Sequence, residues 1–223
     1  MLIRPREKDL GGGLRIRRAL PDTEKKMVGP FIFWDHMGPI CLQTGQEMVV
    51  RAHPHIGLST LTYLFSGEIM HRDSLGFEQP IRPGEVNWMT AGRGIAHSER
   101  SIAPAHQRTP QNTLEGIQLW LALPVESETI PPSFLHFDRE EMPQIDHSRS
   151  QLTLIAGERL GMSSPVPVFS PLFYLHAQMM AGDRFFMNLG SHEEGAIYVA
   201  KGSAWVRGDR KSTRLNSSHV CSS

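Results

Sequence analysis

Residues 53–99 read HPHIGLSTLTYLFSGEIMHRDSLGFEQPIRPGEVNWMTAGRGIAHSE. The stretch opens on His53-Pro54-His55 and closes on His97-Ser98-Glu99, so each end carries two metal-type side chains at i and i+2. On a β-strand such a pair points to one face, because side chains alternate with period two. Between the ends, Ser59 to Phe65 is rich in Thr, Leu and Tyr, and Ser66-Gly67-Glu68 makes a tight turn into Ile69 to Asp73. Pro83-Gly84 then leads into Glu85 to Met89, and Gly92-Arg93-Gly94 turns the chain before Ile95 to Glu99. Short strands punctuated by Gly and Pro predict a β unit that aims three imidazoles and one carboxylate at a common interior. That donor set suits a borderline transition-metal ion in an octahedral or tetragonal shell. A structural zinc prefers thiolates in a closed tetrahedron.

The flanking sequence continues the β pattern. Gly11-Gly12-Gly13 is a flexible turn before Leu14 to Leu20, and Phe31 to Trp34 is a short apolar strand entering a turn at Asp35 to Pro39. Glu47 to Arg51 leads into the His-Pro-His corner. Ile117, Leu119, Leu121 and Leu123 alternate with polar or small partners, which predicts a half-buried strand. Nothing in residues 1–123 sustains a helical period, so an all-β barrel or jelly-roll sandwich is expected. Residues 124–150, rich in Pro, Glu, Asp and Ser, read as a connector with one helical turn at Asp138 to Met142. Strands are predicted to resume at Leu152 to Ala156, Leu172 to Met179, Arg184 to Leu189, Ala196 to Lys201 and Ala204 to Arg207. A weak internal repeat aligns Tyr63-Leu64-Phe65-Ser66-Gly67 with Tyr198-Val199-Ala200-Lys201-Gly202. It sets Asn188 and Gly190 where His53 and His55 stand, so only the first half is expected to hold metal.

Composition bounds the rest. Apolar residues make up 39% and charged ones 21% of 223 residues, which is globular rather than disordered. A formal net charge of zero offers no basic field to nucleic acid. No apolar run reaches the length of about 18 residues needed for a membrane span. Only Cys41 and Cys221 are present, and the N-terminus lacks a signal-peptide core, so the cytoplasm is expected. Residues 209–219 resemble a conceptual translation of a common sequencing-adapter oligonucleotide and are set aside with the rest of 209–223. Without Asp209, Arg210, Lys211 and Arg214 the chain carries 20 basic and 22 acidic side chains, a net charge of −2. The natural chain is expected to continue beyond Gly208.

Residue types alone leave His-x-His open between a structural pair and a metal pair; the second pair, His97 and Glu99, balances the two readings. Further motifs carry a resemblance. His53 to Thr60, His71-Arg72-Asp73-Ser74 and Trp88 to Glu99, with Phe31 to Pro39 and Gly116 to Trp120, resemble the pirin family of bicupins, and a bacterial source is expected. The resemblance covers roughly residues 3–208 and implies two jelly-roll β-barrels with iron only in the first. On it, residues 1–124 form the metal-binding barrel, 125–150 the connector, 151–208 an incomplete second barrel and 209–223 a non-native tail. It implies His53, His55, His97 and Glu99 as ligands of one mononuclear ion, Fe(II)/Fe(III) before Mn, Ni or Cu. It further implies quercetin 2,3-dioxygenase activity on a flavonol-like substrate and O2, with Glu99 as the catalytic proton acceptor. The rival class implied by the family is a non-enzymatic, redox-responsive regulator with a protein partner. Ile56, Leu58 and Ser59 depart from the commonest family pattern, as does Glu115. Asp35 and Asp73 are expected to cap turns, and His36 and His71 to fill structural roles. His106, His136, His147, His176 and His192 are expected to be solvated or core residues.

Overall fold

A computed structural model of the chain describes residues 1–11, 14–42, 47–101, 113–207, 212–216 and 220–222. Gly12, Gly13, His106, Gly208 and much of 209–223 lie outside the described residues. The first part of the chain gives strands β1 (Leu2–Ile3), β2 (Arg6–Asp9), β3 (Arg15–Leu20), β4 (Phe31–Cys41), β5 (Val49–His55) and β6 (Leu58–Ser66). They are followed by β7 (Ile69–Asp73), β8 (Glu78–Ile81), β9 (Val86–Thr90), β10 (Ile95–Ser101), β11 (Thr113–Ala122) and β12 (Ser133–Phe137). The remainder supplies β13 (Gln144–His147), β14 (Ser150–Arg159), β15 (Met162–Ser163), β16 (Phe173–Gln178), β17 (Ala196–Tyr198), β18 (Ser203–Arg207), β19 (Ser212–Asn216) and β20 (Val220–Ser222). Helical structure among the described residues is confined to 3-10 turns at Val125–Ser127 and Arg139–Glu141. None is long and apolar enough to cross a membrane.

Two sheets face each other in the first half. One has seven strands in the order β12-β9-β6-β11-β4-β3-β2, the other four in the order β5-β10-β7-β8. Between them Ile16, Met37, Leu64 and Leu114 of the large sheet meet Ile69 and Ile81 of the small one. The opposite face of the large sheet is also covered. Leu61, Tyr63, Val86, Trp88, Ile117, Leu119 and Leu121 pack there against Ile155, Ala156, Val166 and Tyr174 of the second half. Each such side chain contributes about 2 kcal/mol on burial, so this contact ranks with the barrel interior in holding the chain together. The large sheet is therefore a wall shared by two interiors.

That sharing corrects the expectation for β11. It is covered on both faces: Ile117, Leu119 and Leu121 are buried against the second half, while Gln118 and Trp120, on the alternate positions and partly buried, face the first-half interior. Alternation marked the strand correctly but not what each face touches. Residues 35–39 do not form a turn either; β4 runs through them. Gly38 takes a φ of +74°, which glycine alone adopts without strain, opposite a register shift between Leu114 and Gly116. The Gly-Pro signal marks a bulge and not an end. Asp35 caps no turn but forms a bidentate pair with Arg18 at 2.7 Å to each oxygen, across the β3–β4 ladder.

The stretch 125–150 contains the expected helical turn but also two strands. β12 extends the large sheet beside β9, and β13 pairs with β14. Residues 184–189 form no strand. A strand needs a neighbour to complete its ladder, and here the backbone is held by side chains instead: Arg184 O accepts from His147 Nε2 at 2.9 Å and Asn188 O accepts from Arg159. The two halves also meet through polar groups. His36 lies between the Tyr198 hydroxyl at 2.8 Å and Glu115 at 3.1 Å, and the Tyr63 hydroxyl meets His176 Nδ1 at 3.0 Å.

Candidate metal centre

The small sheet builds the site by register. β5 and β10 are antiparallel neighbours, with His97 opposite His53 and Ile95 opposite His55. On the other side of β10, β7 sets Asp73 opposite His97 and His71 opposite Glu99. Paired residues share a sheet face, so these inward positions bring His53, His97, His71, Asp73 and Glu99 together, with His55 two residues on from His53. Between His97 and Glu99 the β5 ladder shifts, so that Arg51 and Ala52 stand opposite Ser98 alone.

Three of the four expected ligands converge. One ring nitrogen from each of His53, His55 and His97 lies within 4.8 Å of the others. His53 Nδ1 is 2.8 Å from the Arg51 carbonyl. A carbonyl only accepts, so Nδ1 carries the hydrogen and Nε2 keeps its lone pair. His55 Nε2 and His97 Nε2 stand 3.1 Å apart. Two nitrogens bound to one ion at about 2.1 Å are about 3.0–3.4 Å apart for angles from a right angle to tetrahedral, so the pair fits a shared cation. Burial holds the His55 imidazole down at about 4, with repulsion from His53 adding. Burial holds His97 at about 2, with His53, His55 and His71 adding in turn. Both rings are neutral at pH 7, so no proton competes for their lone pairs.

Glu99 is brought near but not into that group. It is buried on the same face of β10, and its carboxylate turns toward Thr62 of the large sheet, whose hydroxyl is 3.5 Å away. That hydroxyl has one hydrogen, and Gln118 Oε1 at 2.9 Å takes it more readily. Burial raises the Glu99 carboxyl above the usual range, opposed by the electrostatic influence of His53 and by Thr62. A buried carboxylate so weakly hydrogen-bonded is costly unless a cation neutralises it. The donor chemistry as a whole suits a divalent ion.

The surroundings hold residues the sequence reading undervalued. Trp120 stands edge-on to His55 at 5.0 Å and stacks on Phe33 at 4.0 Å. Trp88 faces the second half, whereas Met89 lies on the inner side with Ile95 and Phe134. His71 is in contact with His97, and Asp73 caps its turn by accepting from Leu75 N and Phe77 N. His136, expected to be a solvated or core residue, gathers with Glu85 and Asp138 in a second group of ligand-type side chains. His136 and Asp138 are an i,i+2 pair, which is the signal that could have found them.

Comparison with known proteins fits this geometry. The chain matches the pirin family over residues 13–121. A crystal structure of quercetin 2,3-dioxygenase from Acinetobacter baumannii superposes with a TM-score of 0.80 at 33% identity, covering 99% of this chain and 70% of that one. A bacterial pirin from Escherichia coli, solved in complex with nickel(II), gives 0.73 at 19% identity over 100% of this chain and 88% of its own, a likeness of fold alone. These neighbours agree with an all-β bicupin. The chain spans between 55% and 70% of the lengths of the curated relatives it matches. A pirin-like protein of Caulobacter vibrioides is 48% identical over 206 residues, 91% of this chain and 70% of that protein. With that identity over that length, the chain belongs to the pirin family.

Proposed function

We propose that this protein holds one mononuclear metal ion through His53, His55, His97 and Glu99 and catalyses the O2-dependent ring opening of a flavonol, a quercetin 2,3-dioxygenase reaction. The observation that carries the reading is the convergence of three imidazole nitrogens, two of them on rings kept neutral by burial, beside a buried and weakly bonded carboxylate. Similarity to the Acinetobacter baumannii quercetin 2,3-dioxygenase supports the choice of reaction. Iron is the ion proposed, in a cytoplasmic setting; manganese, nickel and copper accept the same donors.

When bound, the ion supplies Lewis acidity toward a substrate hydroxyl. The chain's own residues do the rest. Glu99, made more basic by burial, accepts the proton of the flavonol 3-hydroxyl. Trp120, edge-on to His55, adds an aromatic wall beside the imidazoles, and the buried Met89, Ile95 and Phe134 make the neighbouring part of the interior apolar. Ring opening takes both oxygen atoms of O2 into the products and expels one ring carbon as carbon monoxide.

The test is an aerobic assay of the iron-loaded protein with quercetin, following loss of flavonol absorbance and carbon monoxide release. One carbon monoxide per quercetin is expected, with Glu99→Ala and His97→Ala slower by about 100-fold or more. A protein carrying stoichiometric iron that turns over no flavonol would sink the proposal.

A further inference from the structure

Asp73, His71 and His97 form a chain of three side chains across β7 and β10. Asp73 Oδ2 is 2.9 Å from His71 Nε2, and neither side chain is more than 4% exposed. His71 Nδ1 makes a longer contact, 3.4 Å, with His97 Nδ1. The hydrogens along this chain can be assigned because it begins at a group that only accepts. The carboxylate accepts from His71 Nε2–H, which leaves a lone pair on His71 Nδ1. His97 Nδ1 must then be the donor, and its Nε2, the nitrogen 3.1 Å from His55 Nε2, is left unprotonated. The first two members of the relay are held in place. Asp73 Oδ1 accepts from the backbone N–H groups of Leu75 at 2.9 Å and Phe77 at 3.2 Å. The Phe134 ring of β12 stacks on His71 at 4.2 Å and 12°.

We infer that Asp73, acting through His71, selects the tautomer of His97 that presents Nε2 to the interior. The two are positioning residues behind the metal centre, and the inference rests on the ligand set proposed above. His53 differs, because its tautomer is set by the main-chain carbonyl of Arg51, which no substitution removes. His97 is the ring whose donor state depends on a replaceable side chain.

Asp73→Asn gives the relay a specific way to fail. The Leu75 and Phe77 amides need an acceptor, so the Asn oxygen stays with them and the turn is kept. The amide NH2 then occupies the place of Oδ2 and donates to His71 Nε2. His71 must carry its hydrogen on Nδ1, His97 Nδ1 becomes the acceptor, and the hydrogen moves to His97 Nε2, where it blocks a ligand position. His71→Phe removes the relay while keeping a ring against Phe134; His97 is then free to take either tautomer.

Two measurements test this. Nitrogen-15 NMR of the imidazoles in chelator-treated protein should find His97 protonated at Nδ1 in the wild type and at Nε2 in Asp73→Asn. An unchanged tautomer would overturn the relay. Competition titration with Co(II) should find affinity lowered about 10- to 100-fold in Asp73→Asn and less in His71→Phe. The double variant should match His71→Phe alone, because the wrong tautomer has no route to His97 without His71. If Asp73→Asn adds its full loss on top of His71→Phe, Asp73 acts by another path and the inference fails. Should the wild type bind no Co(II), the ligand assignment falls, and the NMR result still decides the relay by itself.

Discussion

Freed of divalent ions, the protein should lose stability between pH 7 and pH 5, with His97 responsible for about 2 kcal/mol of the loss. Burial holds the folded-state values of His55 at about 4 and His97 at about 2. In the unfolded chain both rings return to about 6.5. Between those values the unfolded chain binds protons that the folded chain refuses. The stability is therefore fully present above the unfolded value and is lost as pH falls toward the folded ones. At 1.36 kcal/mol per pH unit, the drop from about 6.5 to pH 5 costs about 2 kcal/mol for each ring. Two rings lose about 4 kcal/mol, a large share of the roughly 5–15 kcal/mol that holds a typical domain. Glu99 works in the opposite sense. Its folded pKa is raised, so above about 4.5 the unfolded carboxyl ionises first and acidification favours the fold. A comparison with His97→Gln separates the terms, since Glu99 and His55 remain in both proteins. Urea midpoints followed by tryptophan fluorescence at pH 7, 6 and 5, in excess chelator, give the two curves. The wild type should lose about 2 kcal/mol more than His97→Gln over that range. Curves that stay parallel to within about 0.5 kcal/mol would refute a depressed His97 and, with it, the account of why its lone pair is available.

Two further substitutions probe the frame of the site. Trp120→Ala removes the stack on Phe33 and the edge contact to His55, and should cost about 3–5 kcal/mol in urea unfolding and weaken Co(II) retention, while Trp120→Phe recovers most of both. Gly92→Ala places a Cβ against the Ile130 carbonyl at a φ of +50°, in the turn that delivers β10, and should cost more than about 2 kcal/mol in thermal unfolding; Gly11→Ala, at a φ of +85° with open space around it, should cost less.

The paired candidate ligands were legible because period-two alternation is local: His53 with His55 and His97 with Glu99 can be read without knowing the fold. What lay beyond the sequence was adjacency. His71 and Asp73 stand at i,i+2 inside the same stretch, yet they look ordinary until β7 lies beside β10 and sets them opposite Glu99 and His97. Ser133 to Phe137 sits between Pro132 and Asp138 in polar company, so its composition reads as a connection; only the exposed ladder of β9 makes it a strand, and that strand carries the Phe134 ring under His71. The separation of Glu99 from the imidazole group lies in the turn of its carboxylate toward Thr62 of the large sheet, a neighbour that no single strand encodes. Turn chemistry misled at Gly38-Pro39 for the converse reason: a strong local signal was absorbed by a bulge that the neighbouring strand accommodates.

The doubly covered seven-stranded sheet limits what can be cut from this molecule. A miniature version trimmed to the first half would turn Leu61, Tyr63, Val86, Trp88, Ile117, Leu119 and Leu121 out to water. Such a continuous greasy surface invites self-association long before any chemistry is measured. Because these side chains alternate along the same strands with Thr62, Gln118 and Trp120, an engineer who repaints the outer face with charge must leave every second residue untouched. Portability of the site is thus a problem of sheet decoration, to be solved on β6, β9 and β11 before the ligands themselves are touched.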